Sequence, residues 1–212
     1  MNERFSAERL DALRRSVGEG LSEYRYRHIL EVERMIVRIG EIYLPHRIPE
    51  LRAAALLHDF TKELSPTEHE RILTSHGILL SESDRLSPKL YHAVTAAILF
   101  PERFPELATS DTVSAVRYHT TGREAMTLFE MLLYLADYID ESRTFSDCVA
   151  LRSFFFSKDL PSLSEEERLS HLYETLVRSV DYTVRALTDE GAPISPDSIL
   201  MRNDLIARLR KH

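Results

Sequence analysis

The sequence contains one cysteine, Cys148, so no disulfide can form within the chain, and a reducing compartment is the natural setting. The first ten residues include Glu3, Arg4, Glu8 and Arg9 and lack the apolar core of a secretory signal peptide. No stretch approaches the roughly 20 apolar residues of a membrane span. These absences predict a cytoplasmic protein without a membrane partner.

The chain also lacks an excess of basic residues, since 27 Lys and Arg stand against 34 Asp and Glu, a formal net charge of −7. Proteins that bind nucleic acid derive much of their affinity from Lys and Arg on phosphates, so this composition argues against that class. A small anionic substrate stays open, because a bound metal ion can supply local positive charge.

Glycine and proline are scarce, and no Asn-Gly or Asp-Gly hairpin turn separates alternating apolar runs. Helical spacing dominates instead, as in the apolar stripe of Val32, Met35, Ile39 and Ile42. The patterns predict helices over 27–44, 51–56, 68–76, 91–100, a stretch through 116–119, 128–139, 162 or 164 to about 187, and after 196. We therefore predict an all-α fold.

The segment 144–161 is assigned no regular element at this point. Its run Phe154-Phe155-Phe156 is interpreted as core, with a flap or a partner surface as the alternatives. An apolar run of this kind leaves room for a homodimer.

Six residues of metal-ligand type lie on or beside apolar helical faces: His28, His58, Asp59, His92, His119 and Asp137. A single histidine on such a face is more often part of a core than a ligand. The carboxylates are harder to explain as ordinary core residues, because burying a carboxylate without a partner costs several kcal/mol. Side chains from several helices of a bundle can build one metal centre, and imidazole with carboxylate suits Fe, Mn, Zn or Co. The other five histidines are assigned no role.

The order His28, His58-Asp59, Asp137 resembles the H…HD…D signature of HD-domain phosphohydrolases. The surrounding sequence is more specific and is similar to the YqeK family of HD-domain hydrolases, over the segments 25–28, 54–63, 115–123 and 135–139. The resemblance covers roughly residues 24–151. It departs at Ile29, where the family has Ser or Thr, and at Asp140-Glu141, where it has Glu-Pro.

This resemblance implies an HD-domain helical bundle with C-terminal helices packed on it, and we expect residues 1–212 to form a single HD-type domain. It implies a symmetrical bis(5'-nucleosyl)-tetraphosphatase, which cleaves diadenosine tetraphosphate to two ADP. The implied cofactor is a divalent metal, most often iron, with one or two ions per chain. The implied partner is a nucleotide polyphosphate, with ADP as the product.

By the same resemblance, His28, His58, Asp59 and Asp137 hold a first metal ion. His92 and His119 either complete a second metal or contact the substrate phosphates, and these alternatives stay open. The expected catalytic residues are Asp59, Lys62, His92 and His119. The expected substrate-binding residues are Arg25, His28, Lys62, His92, His119, Asp137, Tyr138 and Arg143.

Ordinary structural interpretations remain for the less distinctive residues. Lys62 could be a solvated lysine, Arg123 and Arg143 could form surface salt bridges, and Tyr138 could be a core tyrosine. Two other functions also stay open. One is another HD-domain nucleotide phosphohydrolase or phosphodiesterase, and the other is a nucleotide-sensing HD binding module.

Overall fold

The computed structural model describes residues 3–211, which contain α-helices and short 3₁₀ turns and no β-strand. The α-helices are α1 (Ala7–Gly18), α2 (Glu23–Tyr43), α3 (Ile48–Leu57), α4 (Pro66–Ser75), α5 (Glu82–Arg85), α6 (Tyr91–Arg103), α7 (Ser110–Tyr118), α8 (Leu128–Ile139), α9 (Ser146–Phe155), α10 (Glu165–Asp189) and α11 (Pro196–Leu209). The predicted all-α fold is thus confirmed.

Side-chain caps set where several of these helices begin. The hydroxyls of Ser22 and Thr127 accept hydrogen bonds from backbone N–H groups in the first turns of α2 and α8. Ser65 and Ser164 form capping boxes with Glu68 and Glu167 at the starts of α4 and α10. Each such cap typically contributes about 1 kcal/mol to helix stability.

One hydrophobic core runs from Phe5 near the start of the chain to Leu205 in α11. Helix α2 packs against α3 and α8, α7 packs against α3, α6 and α8, and α10 packs against α9 and α11. The C-terminal ends of α3, α7 and α8 thereby meet the N-terminal parts of α2 and α6. None of the helices in the described part of the chain has the length and apolar character needed to cross a membrane.

The structure contains α-helices that were not predicted from the sequence patterns. Helix α1 buries Leu10, Leu13 and Val17 at helical spacing. Helix α9 occupies much of the segment that was assigned no element. There Phe155 is fully buried, while Phe154 packs on the His171 ring with centroids 5.0 Å apart. The interpretation as core therefore agrees with the structure for Phe155, against which Phe156 packs partly buried, while Phe154 is half-buried outside the core.

Candidate metal centre

The six predicted ligands come together from five helices. His28 lies in the first turns of α2, His58 and Asp59 end α3, and His92 opens α6. His119 caps the C-terminal end of α7, and Asp137 lies in the last turn of α8. The four histidines and Asp59 are buried, and the Asp137 side chain is 14% exposed. The C-terminal ends of α3, α7 and α8 meet here. Because helix C-terminal ends carry partial negative charge, this arrangement favours a bound cation.

Three of the histidines are held by the same local contact. In each, Nδ1 lies within hydrogen-bond distance of the backbone carbonyl three residues earlier. The pairs are His58 with Ala55 at 2.7 Å, His92 with Lys89 at 2.8 Å and His119 with Val116 at 2.7 Å. A carbonyl can only accept, so Nδ1 of each ring carries the proton and Nε2 keeps its lone pair. These are the lone pairs that a metal ion would use.

His28 reaches the same tautomer through side chains instead of a carbonyl. Its Nδ1 lies 3.3 Å from Oγ of Ser142 and 3.4 Å from Oδ2 of Asp140. The Ser142 hydroxyl donates to Oδ1 of Asp140, which leaves its oxygen to accept from Nδ1 of His28. Metal-ligating histidines commonly donate their second ring N–H in this way.

The Asp59 carboxylate stands between two pairs of histidines. Its Oδ2 lies 3.8 Å from Nε2 of both His28 and His58. Its Oδ1 lies 3.1 Å from Nε2 of His92 and 3.5 Å from Nε2 of His119. Each oxygen of Asp59 therefore faces a different pair of imidazoles. A carboxylate so placed can bind one ion or bridge two.

Asp137 completes the His28 and His58 side of the cluster. Its Oδ1 lies 3.0 Å from Nε2 of His28 and 3.6 Å from Nε2 of His58. The 3.0 Å contact is not aligned as a hydrogen bond. The carboxylate oxygen and the two ring nitrogens converge on a common space instead of pairing with each other.

Unsatisfied buried atoms show that this donor set fits a metal ion. Nε2 of His28, Nε2 of His58 and Oδ1 of Asp59 are buried and have no hydrogen-bond partner. Leaving such groups unpaired is costly, and a bound cation removes that cost. Two donor groups have ligand atoms within 4.8 Å of one another, and they share His58. They are His28, His58 and Asp137, and His58, Asp59 and His119. Nitrogen and oxygen donors of this kind suit a divalent transition metal.

The protonation states on the Asp59 side also suit a cation. Burial raises the pKa of the Asp59 carboxyl, but the imidazoles of His58, His119 and His92 beside it outweigh burial and hold that pKa well below its usual range. Burial lowers the pKa of His92 to about 4 and lowers that of His119. At neutral pH, Asp59 is therefore charged and both imidazoles are neutral donors.

His28 and Asp137 form a more strongly coupled pair. Burial lowers the pKa of His28, but the carboxylates of Asp137 and Asp140 outweigh it and raise the pKa to about 9. Burial likewise raises the pKa of Asp137, and the Arg143 guanidinium outweighs it, so the carboxyl stays ionised. A proton and a metal ion compete for Nε2 of His28, so metal binding there releases a proton.

Three cationic side chains surround the ligands. Nη1 of Arg25 lies 2.6 Å from Oδ2 of Asp59, and Nη2 of Arg143 lies 2.5 Å from Oδ1 of Asp137. Nζ of Lys62 lies 3.0 Å from Nε2 of His92 and 4.0 Å from Oδ1 of Asp59. Their side chains are 19–31% exposed, so each also reaches solvent. Positive charge beside a metal centre is the environment that phosphate groups require.

The less distinctive candidates fall in different places. Tyr138 is half-buried and lines a cleft together with Asp137, and its ring stacks loosely on Tyr134. Arg123 does not reach the cluster, because it pairs with the buried carboxylate of Glu130 at 2.9 Å. The structural interpretation of Arg123 as a salt bridge therefore agrees with the geometry.

Sequence reasoning missed three side chains beside the ligands. Asp140 and Ser142 contact His28, and Oγ1 of Thr120 lies 3.2 Å from Nε2 of His92. Asp140, three residues after Asp137, was noted only as a departure from the family that the sequence resembles. Its proximity to His28 depends on the packing of α2 against α8.

Comparison with known proteins places this site in a family. The sequence model of the HD domain matches residues 25–142. The chain is 29% identical over 193 residues to "Bis(5'-nucleosyl)-tetraphosphatase, symmetrical" of Bacillus subtilis (strain 168), covering 90% of this chain and 94% of that one. It is 30% identical over 152 residues to the protein of the same name from Staphylococcus aureus (strain NCTC 8325 / PS 47), covering 70% and 75%.

A solved structure of similar fold supports the same family assignment. A crystal structure described as a "predicted HD superfamily hydrolase involved in NAD metabolism" from Clostridium acetobutylicum superposes with a TM-score of 0.80 at 30% identity. The alignment covers 93% of this chain and 97% of that one. The resemblance seen in the motifs is thereby confirmed, and the chain belongs to the HD-domain family and, within it, to the family of symmetrical bis(5'-nucleosyl)-tetraphosphatases.

Proposed function

We propose that the protein hydrolyses dinucleoside tetraphosphates at the central phosphoanhydride bond, converting diadenosine tetraphosphate and water to two ADP. The observation that carries this proposal is the convergence of four imidazoles and two carboxylates, with unpaired buried donor atoms, inside a ring of three cations. The names of the relatives supply the substrate class. A tetraphosphate bridge carries several negative charges, which suits a metal centre flanked by Arg25, Lys62 and Arg143.

The donor geometry suggests which residues hold the metal. His28, His58, Asp59 and Asp137 would hold one ion, and Asp59, His92 and His119 offer donors for a second ion or for substrate phosphate. A divalent metal there lowers the pKa of water and offsets charge on phosphate oxygens. In the reaction a water oxygen bonds to one of the two central phosphorus atoms. The bond from that phosphorus to the central bridging oxygen breaks, and this oxygen leaves as part of the second ADP, in line with the attacking water oxygen.

The protein's own groups bind and orient the polyphosphate. Lys62 lies beside Asp59 and His92, so its ammonium can contact a phosphate oxygen next to the reacting phosphorus. Arg25 and Arg143 neutralise Asp59 and Asp137 in the free protein, and their remaining N–H groups can bind non-bridging oxygens. Asp59 stays ionised, so its carboxylate keeps both oxygens available to hold the metal ion that would bind the polyphosphate.

The test is a product assay on anaerobically purified, metal-analysed protein with diadenosine tetraphosphate. ADP as the sole nucleotide product, together with one to two metal ions per chain, supports the proposal. AMP with ATP would contradict symmetrical cleavage. A parallel panel of deoxynucleoside monophosphates, cyclic nucleotides and guanosine tetraphosphate tests the other HD activities. Stoichiometric metal without turnover of any of these would favour a nucleotide-sensing module.

We propose iron as the native metal, with one or two ions per chain. Histidine and carboxylate donors accept iron, and they also accept manganese, zinc and cobalt, so the donor set alone does not select among them. Metal analysis after purification without added metal is therefore the test. Stoichiometric zinc or manganese, with no iron, would contradict the assignment.

A cytoplasmic location and a homodimer are further proposals. The single, buried Cys148 suits a reducing compartment. The phenylalanine run that suggested a dimer packs within the chain, since Phe154 contacts His171 and Phe156 lies under Arg38. A dimer would therefore use a different surface. Light scattering across a concentration series measures the oligomeric state directly.

A further inference from the structure

A buried hydrogen-bond network of His69, Thr95 and Thr61 ends on the backbone of His92. The Thr61 hydroxyl donates to the His92 carbonyl at 2.9 Å, and Oγ1 of Thr95 lies 3.1 Å from Oγ1 of Thr61. Nδ1 of His69, in α4, lies 2.9 Å from Oγ1 of Thr95. All four residues are buried. His69 belongs to neither of the two donor groups of the candidate metal centre, so the network lies outside the ligand set.

The direction of each hydrogen bond follows from the end at His92. A carbonyl can only accept, so Thr61 donates its single hydroxyl hydrogen there, and its oxygen remains able to accept. Thr95 gives its own hydrogen to Oγ1 of Thr61 or to the carbonyl of Tyr91 or His92, at 3.1–3.2 Å. The Thr95 oxygen therefore accepts from Nδ1 of His69. Burial lowers the pKa of His69, so at neutral pH this ring is uncharged and carries its proton on Nδ1.

The network joins two segments that carry site residues. Thr61 lies in the turn 58–63 between Asp59 and Lys62, and the Lys62 N–H donates to the Asp59 carbonyl at 2.9 Å. His92 lies in the first turn of α6. The bond from Thr61 to His92 therefore ties this turn to α6. The 3.1 Å separation between Oδ1 of Asp59 and Nε2 of His92 depends on how these two segments are held.

Stability alone does not account for a network of this kind. Apolar side chains of the same shape can replace a fully paired polar set at almost no cost in stability. What a paired buried network adds is one fixed arrangement of the groups it joins. Among the described residues, the buried polar atoms without a partner include Oδ1 of Asp59 and Nε2 of His58, but no atom of the network. The ligand atoms are thus left open, while the atoms behind them are fully paired.

We propose that the network of His69, Thr95 and Thr61 fixes His92 against Asp59, so that this side of the site binds phosphate. Thr61 is its central positioning residue, because its hydroxyl makes the contact to the His92 backbone. The inference rests on the proposed function, which has His92 act on substrate phosphate either directly or through a second ion. The three side chains position a ligand and supply no donor to the metal or the substrate.

The test measures the affinity of the metal-loaded protein for inorganic phosphate by calorimetry. Thr61→Val keeps the shape of the side chain and removes its donor, so phosphate affinity should fall about tenfold or more, the scale typical of lost outer partners of metal ligands. Thr61→Ser keeps the hydroxyl and should restore most of that affinity. Thr74→Val is the matched control at an exposed position of α4 and should leave phosphate affinity unchanged.

Urea unfolding and metal analysis of the same preparations distinguish positioning from packing. A loss of packing alone would lower the free energy of unfolding without changing how the folded protein binds phosphate. Metal should be retained at His28, His58 and Asp137, because the network ends at His92. Unchanged phosphate affinity in Thr61→Val, equal losses in Thr61→Val and Thr61→Ser, or loss of all metal would overturn the positioning role.

His69→Phe interrupts the network at its far end and keeps the proposal testable should Thr61→Val fail to fold. It should lower phosphate affinity by about two- to tenfold, which is the equivalent of one net hydrogen bond. Combining His69→Phe with Thr61→Val should weaken binding no further than Thr61→Val alone, because the network is already interrupted. Losses that multiply in the double variant would show that His69 acts independently of Thr61, which contradicts the network.

The two proposals can fail separately, because phosphate binding is measured without turnover. Conversion of diadenosine tetraphosphate to ADP, with phosphate affinity insensitive to Thr61, would retain the function and reject the positioning role. Phosphate affinity that depends on the Thr61 hydroxyl, without turnover of the dinucleotide, would retain the positioning role and reject the function.

Discussion

Oδ2 of Asp140 lies 3.4 Å from Nδ1 of His28, on the side of the imidazole opposite the nitrogen that faces Asp137. Asp140 is fully buried, and the Ser142 hydroxyl joins its carboxylate to the same ring nitrogen. This contact holds the His28 proton on Nδ1 and increases the basicity of Nε2. We therefore expect Asp140 to act as a positioning residue for the candidate metal centre.

Asp140→Asn should weaken metal binding without removing a ligand. Loss of a carboxylate partner behind a metal-bound histidine typically costs about 10–100-fold in metal affinity. The measurement is the metal retained against increasing chelator, which does not depend on turnover. Glu141→Gln is the control, because Glu141 is adjacent and its side chain is 58% exposed. Equal metal retention in Asp140→Asn and Glu141→Gln would rule out the positioning role.

Asp137 and Lys62 should separate metal binding from substrate binding. Asp137→Ala removes a carboxylate oxygen that converges on His28 and His58, so metal and activity should be lost together. Lys62→Ala should retain the metal and raise KM, because Lys62 contacts the ligands without supplying a carboxylate or imidazole.

Metal analysis and steady-state kinetics on the same preparations check this contrast. Asp189→Ala, at an exposed position near the end of α10, provides the matched control for loss of a carboxylate. Full metal content in Asp137→Ala would show that the ligand assignment is wrong. Loss of metal in Lys62→Ala would instead show that Lys62 is needed to hold the metal ligands in position.

The sequence was sufficient to group the six candidate metal ligands that the structure brings together, because their apolar surroundings indicate burial. Asp59 follows three alanines and two leucines, and Asp137 lies within the apolar run of α8. A carboxylate in such surroundings needs a partner, and that requirement identifies the cluster without knowledge of the helix packing. The predicted location of the core helices follows from the same apolar periodicity.

The contacts that orient the ligands could not be derived in this way. Asp140 reaches His28 across 112 positions of sequence, and Lys62 reaches His92 across 30, so both depend on how helices pack. Helix α9 was missed for a local reason, since three consecutive phenylalanines obscure its period. Helix α1 has the expected apolar spacing at Leu10, Leu13 and Val17, so it could have been predicted.

Glu130, at the N-terminal end of α8, should stabilise the fold in a pH-dependent manner. Burial raises its pKa, but hydrogen bonds from Arg123, Ser114 and the Thr127 N–H lower it below the usual 4.5. A group with a lowered folded-state pKa stabilises the protein above its unfolded pKa, and that stability is lost as the pH falls through the folded value.

Glu130→Gln should therefore lower the free energy of unfolding by about 1–3 kcal/mol at pH 7. The deficit should be constant from pH 7 to 5 and should shrink below about 4.5. Urea unfolding of both proteins across this range measures it, with Glu124→Gln at an exposed neighbouring position as the control. A deficit that grows on acidification would contradict the sign of the pKa shift.

Gly122 sets how closely α11 approaches the loop that follows His119. Its φ is +64°, and a Cβ there would lie 2.0 Å from Sδ of Met201, which is fully buried. Gly122→Ala should cost about 1–2 kcal/mol for the left-handed backbone and about 1–3 kcal/mol more for overpacking. Gly77→Ala isolates the first contribution, because Gly77 has a φ of +74° with no atom within 4 Å of the added Cβ. Urea unfolding should thus show a larger loss for Gly122→Ala, whereas equal losses would mean that Met201 moves aside and that the close approach of α11 is not required.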